Sequence, residues 1–134
     1  MQEATHTAQA AADALGISVA EIAKSIIFRA ADDRAVLVIT SGANRVDRSK
    51  VEAALGQTVG KADADFVRAK TGFVIGGVAP LAHLEAPLVL MDRELLRFEN
   101  VWPAAGHPNT MFKISPAALQ RASVALVANI AEEK

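Results

Sequence analysis

Short β-branched runs alternate with short helix-forming stretches along this chain, and the change of period places most of its elements. Residues 5–15 are rich in Ala and close on Gly16, which predicts a helix with a glycine C-cap. Ser18 with Glu21 three residues on is a capping box, predicting a second short helix from Ser18 that carries Ile22 and Lys24. Residues 25–30 (SIIFRA) turn β-branched and aromatic, hence a strand. A turn at 31–34 leads into 35–40 (AVLVIT), whose nearly continuous apolar character predicts a strand covered on both faces. The two strands should pair as a hairpin.

Beyond the loop Ser41-Gly42-Ala43-Asn44, Asp47 can cap a helix over 50–55 that Gly56 ends. A strand is expected at 58–61, and a helix at 64–69 capped by Asp63. Residues 71–80 (TGFVIGGVAP) hold three glycines and a proline around a short apolar run, a composition suited to close backbone approach. A strand follows at 86–91, with Asp92 capping a single turn through Leu95-Leu96. Residues 100–104 and 110–114 flank Gly106-His107-Pro108-Asn109 as a hairpin. Ser115 and Pro116 supply the N-cap and first position of a helix, and 124–127 reads as a last strand before a tail from Ala131 expected to fray. Helices that arrive singly between strands define an α+β class: one domain over 1–134, an antiparallel or mixed sheet with short helices packed on it.

Composition narrows the chemistry. The 134 residues include no cysteine, so disulfides, thiolate nucleophiles and Cys-based metal sites are excluded. Hydrophobic residues make up 51% but aromatics only 4%, so the core must be aliphatic. No apolar run approaches the ~20 residues that span a bilayer, and no basic-then-apolar leader opens the sequence, so a soluble cytoplasmic chain is expected. The net charge of −1 argues against tight, nonspecific binding of long nucleic acid. A local patch of Arg45, Arg48, Lys50, Lys61, Arg68 and Lys70 leaves docking of a single nucleic-acid end open, although solvated side chains on short helices account for it equally well.

There is no P-loop, no G-x-G-x-x-G opening a helix, no G-x-S-x-G elbow and no H-E-x-x-H, so no cofactor or metal is expected. The positive candidates are few. Lys24, beside an apolar strand, would be a strong donor with a lowered pKa if it faces a cavity, or a snorkelling lysine if it does not. Gly76 and Gly77 could free backbone N–H groups to face a ligand, or simply form a turn. Gly106-His107 could place a general acid or base at the same site, or close a hairpin. His6 and His83 read as surface residues. Trp102 and Phe112 read as core or pocket wall.

Taken together, AKSIIF around Lys24, VITSGANRVD at 38–47, TGFVIGGVAP at 71–80, the strand ending in Met91-Asp92, and AAGHP at 104–108 resemble, in order and spacing, proteins of the YbaK/EbsC type. That family is related to the editing domain inserted in bacterial prolyl-tRNA synthetases, and the resemblance covers roughly residues 8–128. It implies a curved, mostly antiparallel or mixed sheet around a pocket. It also implies an activity, metal-free hydrolysis of the ester joining a wrong amino acid to the terminal adenosine of tRNA, with proline tRNA the first candidate. The family's key lysine falls on Lys24 and its glycine segment on Gly76-Gly77. Its serine-glycine loop falls on Ser41-Gly42 and its late glycine on Gly106. By the same resemblance Asn44, Thr71, Phe73 and His107 join the substrate-binding set, and Ile27, Val38, Phe73, Val78 and Met111 are expected to line the pocket. Relatives often carry a further N-terminal segment, so an edge strand is expected to be missing or replaced here. The implied partner is mischarged tRNA, with prolyl-tRNA synthetase a candidate and a monomer the expected state. Two other readings stay open: a non-catalytic module holding an amino-acid-like ligand or a synthetase, and a hydrolase of other activated esters.

Overall fold

The computed structural model describes residues 8–75, 77–106 and 110–133. The described residues form four α-helices and six strands, in the order α1 (Ala8–Leu15), β1 (Ile22–Ala30), β2 (Ala35–Ser41), α2 (Arg48–Leu55), β3 (Val59–Lys61), α3 (Ala64–Thr71), β4 (Leu88–Asp92), β5 (Trp102–Pro103), α4 (Pro116–Ser123) and β6 (Leu126–Ala128). They form one small domain. The sheet runs β3-β1-β2-β4-β6, with β5 also pairing β1. It is mixed: β1 pairs β2 and β3 antiparallel, whereas β1–β5, β2–β4 and β4–β6 are parallel.

The β1–β2 hairpin is as the sequence predicts, and every residue of β2 is buried. Its continuous apolar run follows from alternation. Leu37 and Ile39 enter one core cluster with Ala23, Ile27, Met91 and Leu119, while Val36 and Val38 enter the other with Val51, Leu90 and Ile130. Side chains of a strand alternate between faces, so a strand covered on both sides must be apolar throughout.

Local capping chemistry operates as expected. Asp47, Asp63, Asp92 and Ser115 all accept from backbone N–H groups at helix starts. The capping box of Ser18 and Glu21 is present, but it opens only a single 3₁₀ turn, Val19–Glu21. The expected helix through Lys24 does not form. Strand β1 begins at Ile22, and Lys24 pairs across to Thr40, because hydrogen bonding to β2 outweighs the weak preference of a short helix. The 100–104 and 110–114 segments come together antiparallel, through the bridges Val101–Ile114 and Ala104–Met111 and through Phe112 N–H on the Pro103 carbonyl and Ala105 N–H on the Thr110 carbonyl, while Trp102–Pro103 also joins β1. The tail does not fray: Ala131 bridges Val46, Glu132 N–H donates to the Arg45 carbonyl, and Lys50 reaches both the Ala131 carbonyl and the Glu133 carboxylate.

The carboxylate of Asp92, fully buried at the end of β4, is the densest polar junction of the fold. Its Oδ2 accepts from Thr40 Oγ1 (3.0 Å), Ser41 N–H (3.2 Å) and Asn44 Nδ2 (2.9 Å), while Oδ1 accepts from Glu94 N–H (3.0 Å). Asp92→Ala would strand buried donors at about 1–3 kcal/mol for each group left unsatisfied. We expect it to lower unfolding stability by at least ~3 kcal/mol, read as a fall in the denaturant midpoint. A change below ~1 kcal/mol would show that the junction is dispensable.

Candidate active site

Strand β1 is the organising element of the site. Gly42 N–H donates to the Ile22 carbonyl and Ala30 N–H to the Arg34 carbonyl, so the even-numbered residues of β1 direct their backbone groups toward β2. The odd-numbered residues direct theirs to the opposite edge. There β5 covers Ile22 and Ala23, and β3 covers Phe28 to Ala30. Between these two partial neighbours the edge is uncovered among the described residues, and a cavity of about 440 Å³ opens. Its apolar wall includes Ile27, Ala62, Val67, Ile75 and Val78, and its polar lining comes from Ser25, Arg48 and Lys61. This volume falls within the usual range for small-molecule sites.

Lys24 precedes Ser25 in β1 and is not itself among the residues that line the cavity. Its cross-strand partner Thr40 belongs to the face that carries Asp92, whereas Ser25 and Ile27 face the other side. The Lys24 side chain is half-buried and its ammonium makes no hydrogen bond or ion pair among the described residues. Burial, and then the nearby positive charge of Arg45, hold its ammonium below the ordinary lysine range. The cavity touches both faces of the strand, because Ile26 and Phe28 line it along with Ile27.

The remaining predicted residues fall into two groups. Ser41, Gly42 and Asn44 lie on the β2 side of β1 and are absorbed by the fold, the Ser41 side chain on the face away from Lys24. Ser41 Oγ donates to the Ala20 carbonyl (2.7 Å), and the Asn44 amide is engaged by Asp92. At Gly42 an added Cβ would sit 2.6 Å from the Val19 carbonyl oxygen and 2.9 Å from Ala8 Cβ, so the glycine is needed for packing. Thr71, Phe73, Gly77 and Gly106 lie on the other side. Thr71 Oγ1 accepts from Phe73 N–H, and the Phe73 ring meets Gly106, where a Cβ would lie 3.3 Å from the ring. Gly106 has φ +100°, a second reason for glycine there. Gly77 N–H, expected to be free, donates to the Val74 carbonyl (2.9 Å). The next amide, Val78, has no hydrogen-bond partner among the described residues and lines the cavity. Gly76 and His107 lie outside the described residues, as does His6. Of the expected pocket wall, Ile27 and Val78 line the cavity, Val38 is buried in the core cluster on the Lys24 face, and Phe73 packs beside the opposite cluster.

His83, expected at the surface, is half-buried. Its Nε2 bonds the Ala79 carbonyl (2.7 Å), its ring stands edge-on to Phe73, and burial holds its pKa below the ordinary histidine value. It braces the glycine-rich loop. Sequence reasoning passed over Ser25 and named Arg48 and Lys61 only within the basic patch. The signal available was alternation along β1, which required knowing that the strand begins before Lys24.

The sequence profile of the aminoacyl-tRNA editing domain matches residues 2–122. An uncharacterised protein of Bacillus subtilis (strain 168), YwhH, is 33% identical over 121 residues, covering 90% of this chain and 77% of that protein. Among solved structures, one of a protein proposed to be a trans-editing enzyme for prolyl-tRNA synthetase is 37% identical with a TM-score of 0.92, covering 96% of this chain and 82% of that one. The hypothetical protein APE2540 is 32% identical with a TM-score of 0.88, covering 98% and 88%. The chain belongs to the aminoacyl-tRNA editing domain family. No described helix is long and apolar enough to cross a membrane.

The lowered pKa of Lys24 carries a stability consequence. Its folded value lies below the unfolded one, so between the two the unfolded chain holds a proton that the folded chain releases, and stability rises with pH. Below that window the cost of the half-buried charge is present in full. Lys24→Met is therefore expected to melt at or above the wild-type temperature at pH 7, the difference narrowing as pH rises toward 10.5, the ordinary lysine value. A marked loss of thermal stability would instead give Lys24 a structural role.

Proposed function

We propose that this chain is a trans-acting deacylase that hydrolyses the ester between a wrong amino acid and the terminal adenosine of tRNA, with proline tRNA the first candidate. The observation that carries this reading is Lys24: a half-buried ammonium without an acceptor among the described residues, one residue before Ser25 of a largely apolar cavity, in a chain of the editing-domain family. A cation held there without a partner costs stability, and a substrate oxygen would supply the missing acceptor.

In this reading Lys24 holds the ester or a terminal-ribose oxygen. The glycine-rich loop polarises the ester carbonyl through backbone N–H groups, with Val78, which lines the cavity, the candidate and Gly77 already engaged. A water attacks the carbonyl carbon, assisted by the neighbouring ribose hydroxyl, and the ribose oxygen leaves with a proton. An aminoacyl ester is already activated, so positioning takes the place of a strong general base. Arg48 and Lys61, at the cavity wall, supply positive charge for the phosphates of the tRNA end.

The test is deacylation of proline tRNA charged with Ala, Ser, Thr or Cys. We expect wild type to hydrolyse at least one of these, and Lys24→Ala to lose about 10²–10³-fold in rate, as when one charge-stabilising donor is removed. The circular dichroism spectrum should stay unchanged. Near-wild-type activity in Lys24→Ala, or no hydrolysis of any member of the panel, overturns the proposal.

A further inference from the structure

Among the described residues the fold satisfies its buried hydroxyls with one exception. Thr40 donates to Asp92, Ser41 to the Ala20 carbonyl, Thr71 to the Val67 carbonyl and Ser123 to the Leu119 carbonyl. Ser25 is only half-buried as a residue, yet its Oγ is shielded from solvent and has no partner. Among the described residues only His83 Nδ1 shares that condition, and its ring is already anchored through Nε2. An unpaired buried hydroxyl is unfavourable, and a native fold keeps few of them. This one belongs to a residue that lines the cavity.

Its placement limits what could pair with it. Ser25 shares a sheet face with Ile27 and lies in a cavity walled by Val67 and Val78, a setting hostile to a charged ammonium but tolerant of a small neutral polar group. The backbone N–H and C=O of Ser25 also point to the uncovered edge, between Ala23, which β5 covers, and Arg29, which β3 covers. The charged α-amino group of an aminoacyl ester can be held by that carbonyl at the rim. The hydroxyl is left for the amino-acid side chain.

We propose that Ser25 is a specificity-determining residue, selecting aminoacyl groups whose short side chain carries a hydroxyl, seryl or threonyl, over the alanyl group of similar size. This rests on the deacylase reading above. A pocket that hydrogen-bonds a substrate hydroxyl discriminates against the analogue lacking it, because the protein group is then left unpaired. An apolar pocket cannot make that distinction strongly.

The experiment measures kcat/KM for deacylation of one tRNA charged with Ser, Thr or Ala, by wild type and Ser25→Ala. Wild type should prefer seryl over alanyl by at least ~10-fold. Ser25→Ala should reduce seryl and threonyl turnover by about 10–100-fold and leave alanyl within ~3-fold, so that the preference collapses. Its melting temperature should not fall, since the substitution removes an unpaired buried hydroxyl. Equal losses on all three substrates, or an unchanged preference, overturn the assignment. Binding of non-hydrolysable amide analogues, 3′-seryl- and 3′-alanyl-amino-adenosine, separates the two proposals. A Ser25-dependent preference in binding without hydrolysis of any charged tRNA sustains Ser25 as the reader and overturns the deacylase. Hydrolysis without that preference does the reverse.

Discussion

The hydrogen bonds gathered by the Asp92 carboxylate set the geometry on which the rest of the structure depends. Strands β2 and β4 are parallel, so their C-terminal ends lie side by side with no hairpin to join them. Asp92 makes the join instead, through the side chain of Thr40, the amide of Ser41 and the side chain of Asn44. The turn after β2 is thereby fixed against β4, and Gly42 is pressed onto the Val19 carbonyl and α1. Thr40 is also the cross-strand neighbour of Lys24. The junction thus sets the local frame of a lysine that is half-buried without a partner among the described residues.

The site is built at a place where the sheet is unfinished. Two short strands each cover part of one edge of β1, and the residues between them border the cavity. Lys24 and Ser25 are consecutive there, and a strand's alternation sends them to opposite faces. One uncovered stretch therefore carries a cation on one face and a neutral hydroxyl on the other. The glycine-rich loop closes the Ser25 side, held by the Gly77–Val74 turn, by His83 on the Ala79 carbonyl, and by Phe73 against Gly106.

Much of this was legible in the sequence wherever the physics is local. Caps at Asp47, Asp63, Asp92 and Ser115, the Ser18 capping box and the apolar run of β2 each express chemistry among near neighbours. What escaped depends on distant partners. That β1 starts at Ile22 is decided by pairing with Thr40 and Ser41, not by the residues around Lys24. The parallel docking of β4 and β6, the anchoring of the tail by Lys50, and the engagement of Gly77 N–H leave no local trace. Ser41, Gly42 and Asn44 were found by resemblance as site positions, and their polar groups serve the frame around the site. Ser25 was overlooked because an ordinary serine in a strand becomes unusual only when every neighbour has chosen another partner.

The notch in the β1 edge has a further effect, on how the protein behaves among copies of itself. A long bare strand edge is a template on which another chain can add, the first step toward aggregation. Here the bare stretch is only a few residues long, and β5 and β3 stand at its two ends like stops. An incoming strand could form too few ladder bonds to hold before running into a neighbour. The same interruption that opens the cavity denies this edge of β1 a place to grow.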